Sequence, residues 1–142
     1  MTSITQFFLA LFVGWCGYML AMAMTVYDGA LSLVFQPFIG AVFTSFALTP
    51  VFAVGLPIRF IAPLYSWWRA HWWISLVLGA VAVGLMIASW LPANRVQVVD
   101  PELGTTRDSF HPWLALSGWF LAMFAAAHFY PPTKRAAAEP HP

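Results

Sequence analysis

The fold follows from residues 71–91, which read HWWISLVLGAVAVGLMIASWL and contain no charged side chain. A helix of about 20 apolar residues crosses the ~30 Å hydrocarbon core of a bilayer, so this stretch predicts a membrane-spanning helix. Three further stretches are uncharged and apolar in the same way. We therefore predict four spans, at residues 4–27, 35–56, 71–91 and 112–130.

The composition of the whole chain agrees with a lipid environment. Of 142 residues, 61% are hydrophobic and 8% are charged, whereas a soluble domain carries about 25% charged residues. In water, such a chain would leave large apolar patches on its surface. Four spans also leave too little chain outside the lipid for a nucleotide-binding domain or a nucleic acid partner. The predicted fold class is an all-α membrane protein, an antiparallel bundle of four transmembrane helices.

The positions of the basic residues predict the orientation. The connection between the second and third spans carries Arg59 and Arg69, and the C-terminal tail carries Lys134 and Arg135. The segments on the opposite side carry two basic and four acidic residues. Basic residues accumulate on the cytoplasmic side, so both termini are predicted to be cytoplasmic. Helical bundles occupy the inner membrane of bacteria, which predicts a multi-pass inner-membrane protein.

A polar segment separates the third and fourth spans. The β-prone residues VQVV at 96–99 run into DPELGT at 100–105. Asp, Pro and Gly at these positions are typical of a type I turn closed by a bulge. We therefore predict a short external β-hairpin at 95–110. The Pro- and Ala-rich residues 131–142 predict a flexible cytoplasmic tail.

Each predicted span carries small residues three or four positions apart. Such small-residue seams let helices approach closely, which drives helix association in lipid. Spans rich in Ala and Gly also contain such pairs by chance, and a seam can face its own chain or another subunit. The four seams are Ala10, Gly14, Gly17 and Ala21; Gly40 with Thr44 and Ala41 with Ser45; Ala80, Gly84 and Ala88; and Gly118, Ala122 and Ala126.

Residues 56–73, LPIRFIAPLYSWWRAHWW, connect the second and third spans and contain four Trp, one Tyr and two Arg. Trp and Tyr concentrate at the level of the lipid headgroups, and Arg can extend to lipid phosphates. We predict a membrane-surface anchor broken by Pro57 and Pro63. The alternative is a site for a lipid headgroup, a quinone or a partner protein, with Arg59 and Arg69 as the binding groups.

Ionisable groups are scarce in the predicted spans. None of the spans contains Asp, Glu, Lys or Arg, the residues with which proton relays, coupled transporters and voltage sensors work. The motifs of zinc proteases, serine hydrolases and nucleotide-binding loops are also absent from the sequence. Cys16 is the only cysteine, so an intrachain disulfide is excluded. We predict no enzyme, no catalytic residue, no metal site and no resident cofactor.

Two histidines are the remaining candidates for cofactor binding. In the predicted topology His71 begins the third span and His128 ends the fourth, so both lie at the cytoplasmic end. Two histidines on neighbouring helices could ligate haem b axially. No carboxylate lies nearby in the sequence to orient either ring. A haem- or quinone-binding membrane subunit is therefore only an alternative interpretation.

Three functions stay open. The leading hypothesis is a non-catalytic membrane subunit, either an accessory of a larger inner-membrane complex or a self-assembling bundle. Its partners would be the lipid bilayer and a second copy or another membrane protein. The alternatives are the cofactor-binding subunit and a homo-oligomeric pore or membrane-perturbing effector. The weakly polar residues that would line such a pore are Thr44, Ser45, Thr49 and Ser117.

Overall fold

The computed structural model describes residues 3–25, 29–99 and 104–131. Within these residues the chain is mostly helical, with five α-helices and one small sheet. In chain order the elements are α1 (Ser3–Thr25), α2 (Gly29–Phe60), α3 (Ala62–Ala70), α4 (Trp73–Trp90), β1 (Val96–Val99), β2 (Thr106–Ser109) and α5 (Pro112–Ala127).

Among the described residues, three helical segments are long and apolar enough to cross a membrane, namely Ser3–Ala23, Val34–Phe60 and Trp73–Trp90. They belong to α1, α2 and α4. The helix α5 is apolar but has only 16 residues, about 24 Å at 1.5 Å per residue. The predicted helical character is confirmed, and three of the four predicted spans correspond to helices long and apolar enough to cross a membrane. A bundle of four transmembrane helices stays a prediction.

The helix α2 begins at Gly29 and ends at Phe60. It is therefore longer at both ends than the predicted second span, 35–56. It has 32 residues, or about 48 Å. Pro37, Pro50 and Pro57 lie inside it. Each proline lacks the N–H that would donate one helical hydrogen bond. The other backbone groups of a helix in apolar surroundings still form hydrogen bonds within the helix. At about 48 Å, α2 is therefore longer than the ~30 Å hydrocarbon core of a bilayer.

The connection after α2 contains a helix that the sequence analysis does not predict. Ile61 is extended, with φ −92° and ψ 102°, and separates α2 from α3. Pro63 lies in the first turn of α3, where a missing N–H removes no intrahelical hydrogen bond. Pro57 lies inside the last turn of α2. The two prolines therefore do not break the segment as predicted, and the break falls between them at Ile61.

The helix α5 ends at Ala127, before the predicted end of the fourth span at residue 130. His128 leaves the helical conformation, with φ −113° and ψ 23°. Its carbonyl oxygen accepts hydrogen bonds from Trp68 Nε1 at 2.8 Å and from Ser75 Oγ at 2.9 Å. The end of α5 is thus fixed by side chains of α3 and α4, which are distant in the sequence.

The strands β1 and β2 form an antiparallel hairpin between α4 and α5, in which Val96 pairs with Ser109. Gly104 has φ +64°, the left-handed conformation that glycine adopts without a steric penalty. The small sheet and the left-handed glycine agree with the sequence prediction. Outside the described residues lie the turn at 100–103 and the tail at 132–142 with Lys134 and Arg135.

The helix α5 packs against α1, α2 and α4. Leu48 of α2 and Met123 of α5 are the largest apolar side chains that are fully buried. At Gly118, a Cβ atom would lie 2.7 Å from the carbonyl oxygen of Ala82 and 2.8 Å from Cγ of Met86. The backbones of α4 and α5 therefore approach closely, as expected where helices associate through small residues.

Candidate functional site

The four predicted site residues lie at one end of the helices, where α2, α3 and α5 end. Arg59 is partly buried and His128 is fully buried, whereas Arg69 is exposed and His71 is partly exposed. Gln6, in the first turn of α1, is buried beside Arg59. We call Gln6, Arg59 and His128 the polar corner.

Arg59 connects α1, α2 and α5. Its Nη2 donates to Gln6 Oε1 at 3.3 Å and to the Ala127 carbonyl oxygen at 3.1 Å. Its guanidinium carbon lies 4.9 Å from the centre of the Phe52 ring, a favourable cation–π position. Gln6 Nε2 donates to the Phe129 carbonyl oxygen at 3.1 Å. No carboxylate from the described residues contacts Arg59.

His128 fills the space between α2 and α5. Its Nδ1 lies 3.0 Å from the Phe124 carbonyl oxygen, an acceptor that requires a proton on Nδ1. The imidazole stacks on the Phe124 ring with 4.4 Å between centres. Nε2 faces Gly55, where any Cβ atom would overlap the imidazole. In the part of the chain that the structure describes, Nε2 has no hydrogen-bond partner.

We expect Trp68→Phe to lower the free energy of unfolding by about 1 kcal/mol, because the buried His128 carbonyl loses one of its two donors. Denaturant titration in detergent micelles measures the change. Trp67→Phe is the matched control, since this neighbouring side chain is 48% exposed, and it should shift stability by less than about 0.5 kcal/mol. Equal losses in the two variants would contradict the assigned role of Trp68.

His71 and Arg69 lie beside aromatic residues of α3 and the start of α4. We call Tyr65, Trp67 and Trp73 the aromatic surface around α3. The His71 ring stacks on Trp67 at 4.8 Å, and its Nδ1 lies 2.8 Å from the Trp67 carbonyl oxygen. The Arg69 guanidinium carbon lies 5.9 Å from the centre of the Tyr65 ring. Trp67 and Trp73 are about half exposed. Exposed indoles with a neighbouring Arg are typical of the headgroup level of a membrane.

His71 and His128 have separate surroundings. His71 packs against Trp67 and Trp73, whereas His128 packs against Phe124 and the backbone of α2. Axial ligation of haem needs two imidazoles that face each other across one gap. Each ring instead has its own aromatic neighbours here, and haem binding by the pair stays an alternative prediction. No group of three or more His, Cys, Asp or Glu side chains within the described residues could hold a metal ion.

A large apolar cleft lies on α1, α4 and α5, towards the β-hairpin. Its volume is about 660 Å³, and its walls include Tyr18, Trp90 and Trp119. The Tyr18 hydroxyl donates to Gln36 Oε1 at 2.8 Å, and Trp119 Nε1 donates to the Gly14 carbonyl oxygen at 2.6 Å. Because both polar groups form hydrogen bonds within the protein, the exposed wall of the cleft is mainly apolar. It contains none of the four predicted site residues.

The small-residue seams differ in what covers them. On α1, a Cβ atom at Gly14 would lie 2.5 Å from both Met123 Sδ and Thr44 Cγ2, so this seam packs inside the chain. On α4, Ala80 and Gly84 are exposed. A Cβ atom at Gly84 would have no atom within 4 Å among the described residues. We call Ala80 and Gly84 the uncovered α4 seam.

The residues predicted to line a pore lie on different faces. Thr44 is fully buried, whereas Ser45, Thr49 and Ser117 are exposed. The Ser45 hydroxyl donates to the Ala41 carbonyl oxygen in the preceding turn at 2.7 Å. Thr44 therefore does not share an exposed surface with the other three residues, and a pore formed by several copies stays a prediction.

Gln6 and Gly55 are the residues of this site that the sequence analysis misses. The spans were defined by the absence of charges, and Gln6 is uncharged, although a buried amide in an apolar helix needs hydrogen-bond partners. The need of a buried amide for hydrogen-bond partners is the sequence feature that identifies Gln6 as a candidate. Gly55 gave no signal, because its role depends on the approach of His128 from α5.

Comparisons of the chain with protein-family models, with curated proteins and with solved structures find no match. The described residues define a mostly helical protein with three helices long and apolar enough to cross a membrane, a polar corner at one end and an uncovered seam on α4. These features are the basis for assigning a function.

Proposed function

We propose that this chain is a non-catalytic membrane protein that acts through helix packing and assembly, as a subunit or accessory of an inner-membrane complex. In this proposal α1, α2, α4 and α5 form an antiparallel bundle of four spans, and the β-hairpin lies outside the membrane. The partners are the lipid bilayer and either a second copy of the chain or another membrane protein. The observation that carries the proposal is the uncovered α4 seam.

The uncovered α4 seam has the surface that helix association in lipid requires. Lipid tails are as apolar as leucine, so helices associate where small residues allow close backbone contact. Ala80 and Gly84 are exposed and lie one turn apart, and a Cβ atom at Gly79 would also meet nothing within 4 Å among the described residues. A glycine inside a helix destabilises it by about 1 kcal/mol relative to alanine. Packing against a helix from another subunit would offset this cost, because glycine lets the two backbones approach closely.

The packing of α5 supports its assignment as the fourth span. Its length of about 24 Å is less than the ~30 Å core, and local thinning of the bilayer accommodates such a difference. The helix contacts both α1 and α4 along its sides, and each of these is long enough to cross. A helix packed between two spanning helices lies at the same depth as they do.

The distribution of charged residues supports an orientation with the polar corner on the cytoplasmic side. Arg59 and Arg69 lie at that end, whereas the sequence from 95 to 108 that connects α4 and α5 contains two basic and three acidic residues. Positive residues favour the cytoplasmic side. Because α1 begins at the polar corner, the N-terminus is then cytoplasmic, and four spans return the C-terminus to the same side.

We expect Ala80→Leu to weaken assembly about tenfold or more, since a leucine separates the two backbones that the seam brings together. The measurement is the dissociation constant of the complex in mild detergent, by light scattering coupled to size exclusion, and in bilayers, by counting subunits. Folding of the single chain should not change, because Ala80 is exposed in it.

The matched control is Ala53→Leu, the same substitution at an exposed position of α2. Its dissociation constant should equal that of the unsubstituted chain. The assembly proposal fails if the chain is a lone monomer in every detergent and bilayer tested. It also fails if the two leucine variants weaken the complex equally.

A further inference from the structure

Within the described ranges, the charge of Arg59 is only partly compensated. Its partners among the described residues are the Gln6 amide oxygen, the Ala127 carbonyl oxygen and the Phe52 ring. All three are uncharged. A partly buried cation interacts more strongly with an anion than an exposed one, because water screens it less. The polar corner therefore favours a negatively charged ligand.

The nitrogen atoms of Arg59 show which part of the side chain is available. Nη2 is occupied by Gln6 and Ala127, and Nε is enclosed without a partner. Nη1 donates to no acceptor in the described ranges and, unlike Nε, is not enclosed by the protein. A guanidinium binds phosphate oxygens through such terminal N–H groups. One face of Arg59 is thus held by the protein, and the opposite edge is left to bind an anion.

In the proposed membrane orientation, the polar corner lies at the depth of the lipid headgroups. Arg59 is in the last turn of the candidate span Val34–Phe60, and Gln6 is in the first turn of α1. The half-exposed indoles of Trp67 and Trp73 lie at the same end. Aromatic residues mark the level of the headgroups. The anions that are concentrated there are lipid phosphates.

We propose that Arg59 binds the phosphate group of one anionic phospholipid at the polar corner. Gln6 and Ala127 position the guanidinium, and the aromatic surface around α3 contacts the glycerol and upper acyl region of the lipid. Arg69 is exposed and lies over Tyr65, so it attracts anionic lipids only diffusely. The proposal depends on a membrane location and is independent of assembly through α4.

The test titrates the full-length protein, in a neutral detergent, with dioleoylphosphatidylglycerol or dioleoylphosphatidylcholine and counts bound lipids by native mass spectrometry. We expect one site that prefers phosphatidylglycerol about tenfold, the effect of one charge-assisted hydrogen-bonding group. Arg59→Gln should abolish the preference. Arg69→Gln, the matched control at the same end, should change it less than about twofold. Equal losses in both variants, or a preference retained by Arg59→Gln, would overturn the proposal.

Two further arms keep the test decisive. Arg59→Lys preserves the cation if Arg59→Gln does not fold, and it should weaken the preference about threefold, because one ammonium cannot replace the guanidinium fork. An unchanged preference in Arg59→Lys would refute the role of the fork. Inorganic phosphate should not displace the bound lipid, and complete displacement would show a site for free anions instead. Ala80→Leu should bind the lipid normally, which separates this proposal from the assembly proposal.

Discussion

Gly118→Leu is expected to destabilise the single chain by about 3 kcal/mol or more. A Cβ atom at this position would lie 2.7 Å from the Ala82 carbonyl oxygen and 3.1 Å from the Met86 amide nitrogen. Both atoms are backbone atoms of α4, so no side-chain rotation relieves the overlap. The two helices would have to separate, which removes the contact between α4 and α5. Unfolding in mixed micelles, followed by circular dichroism, measures the loss.

The control for Gly118→Leu is Gly84→Leu, on the exposed side of α4. A Cβ atom there would have no neighbour within 4 Å in the described chain. Leucine also has a higher helix propensity than glycine, so the monomer should be equally stable or slightly more stable. Comparable destabilisation by both variants would show that the contact at Gly118 is not close.

Gly55→Ala is expected to destabilise the chain by about 2 kcal/mol or more, although it adds a single methyl group. The methyl group would overlap the His128 imidazole, which is fully buried between α2 and α5. Moving the ring would break its contact with the Phe124 carbonyl oxygen. The matched control is Gly79→Ala on α4, where the added methyl meets no atom within 4 Å in the described residues. This control should stabilise the helix by up to about 1 kcal/mol.

A double variant isolates the contact between Gly55 and His128. In a His128→Ala background the imidazole is absent, so Gly55→Ala should be neutral or stabilise the helix by up to about 1 kcal/mol. The coupling energy of the cycle should then exceed about 1 kcal/mol, as expected for residues in direct contact. Additive effects would mean that the new methyl group does not meet the ring.

The predictable part of the fold depended on signals that are local in the sequence. Uncharged stretches located helices that are long and apolar enough to cross a membrane, and Val96–Val99 followed by Gly104 located the small sheet. The sequence does not predict α3, because Pro57 and Pro63 are typical of breaks in a helix. Pro63 instead occupies a first turn, where its missing N–H is not needed.

The site was less predictable because its contacts join distant parts of the chain. Arg59 and His128 were both named as candidates from the sequence, but their shared position depends on how α2 packs against α5. His71 was paired with His128 from topology alone, and local stacking on Trp67 gives it other neighbours. Whether a small-residue seam is covered or exposed also depends on the helix that packs against it. The sequence therefore does not show that Gly118 is covered by α4 whereas Gly84 is exposed.

The unequal lengths of α2 and α5 have a consequence for the surrounding bilayer. The 27-residue segment Val34–Phe60 of α2 measures about 40 Å, roughly 10 Å more than the hydrocarbon core, and α5 falls short of that core by about 6 Å. If α5 is a fourth span, as proposed above, one flat bilayer cannot match both helices, so α2 would tilt and the lipids beside α5 would thin. Each ångström of mismatch costs a fraction of a kcal/mol. In that arrangement the bilayer around the protein would be thicker beside α2 than beside α5.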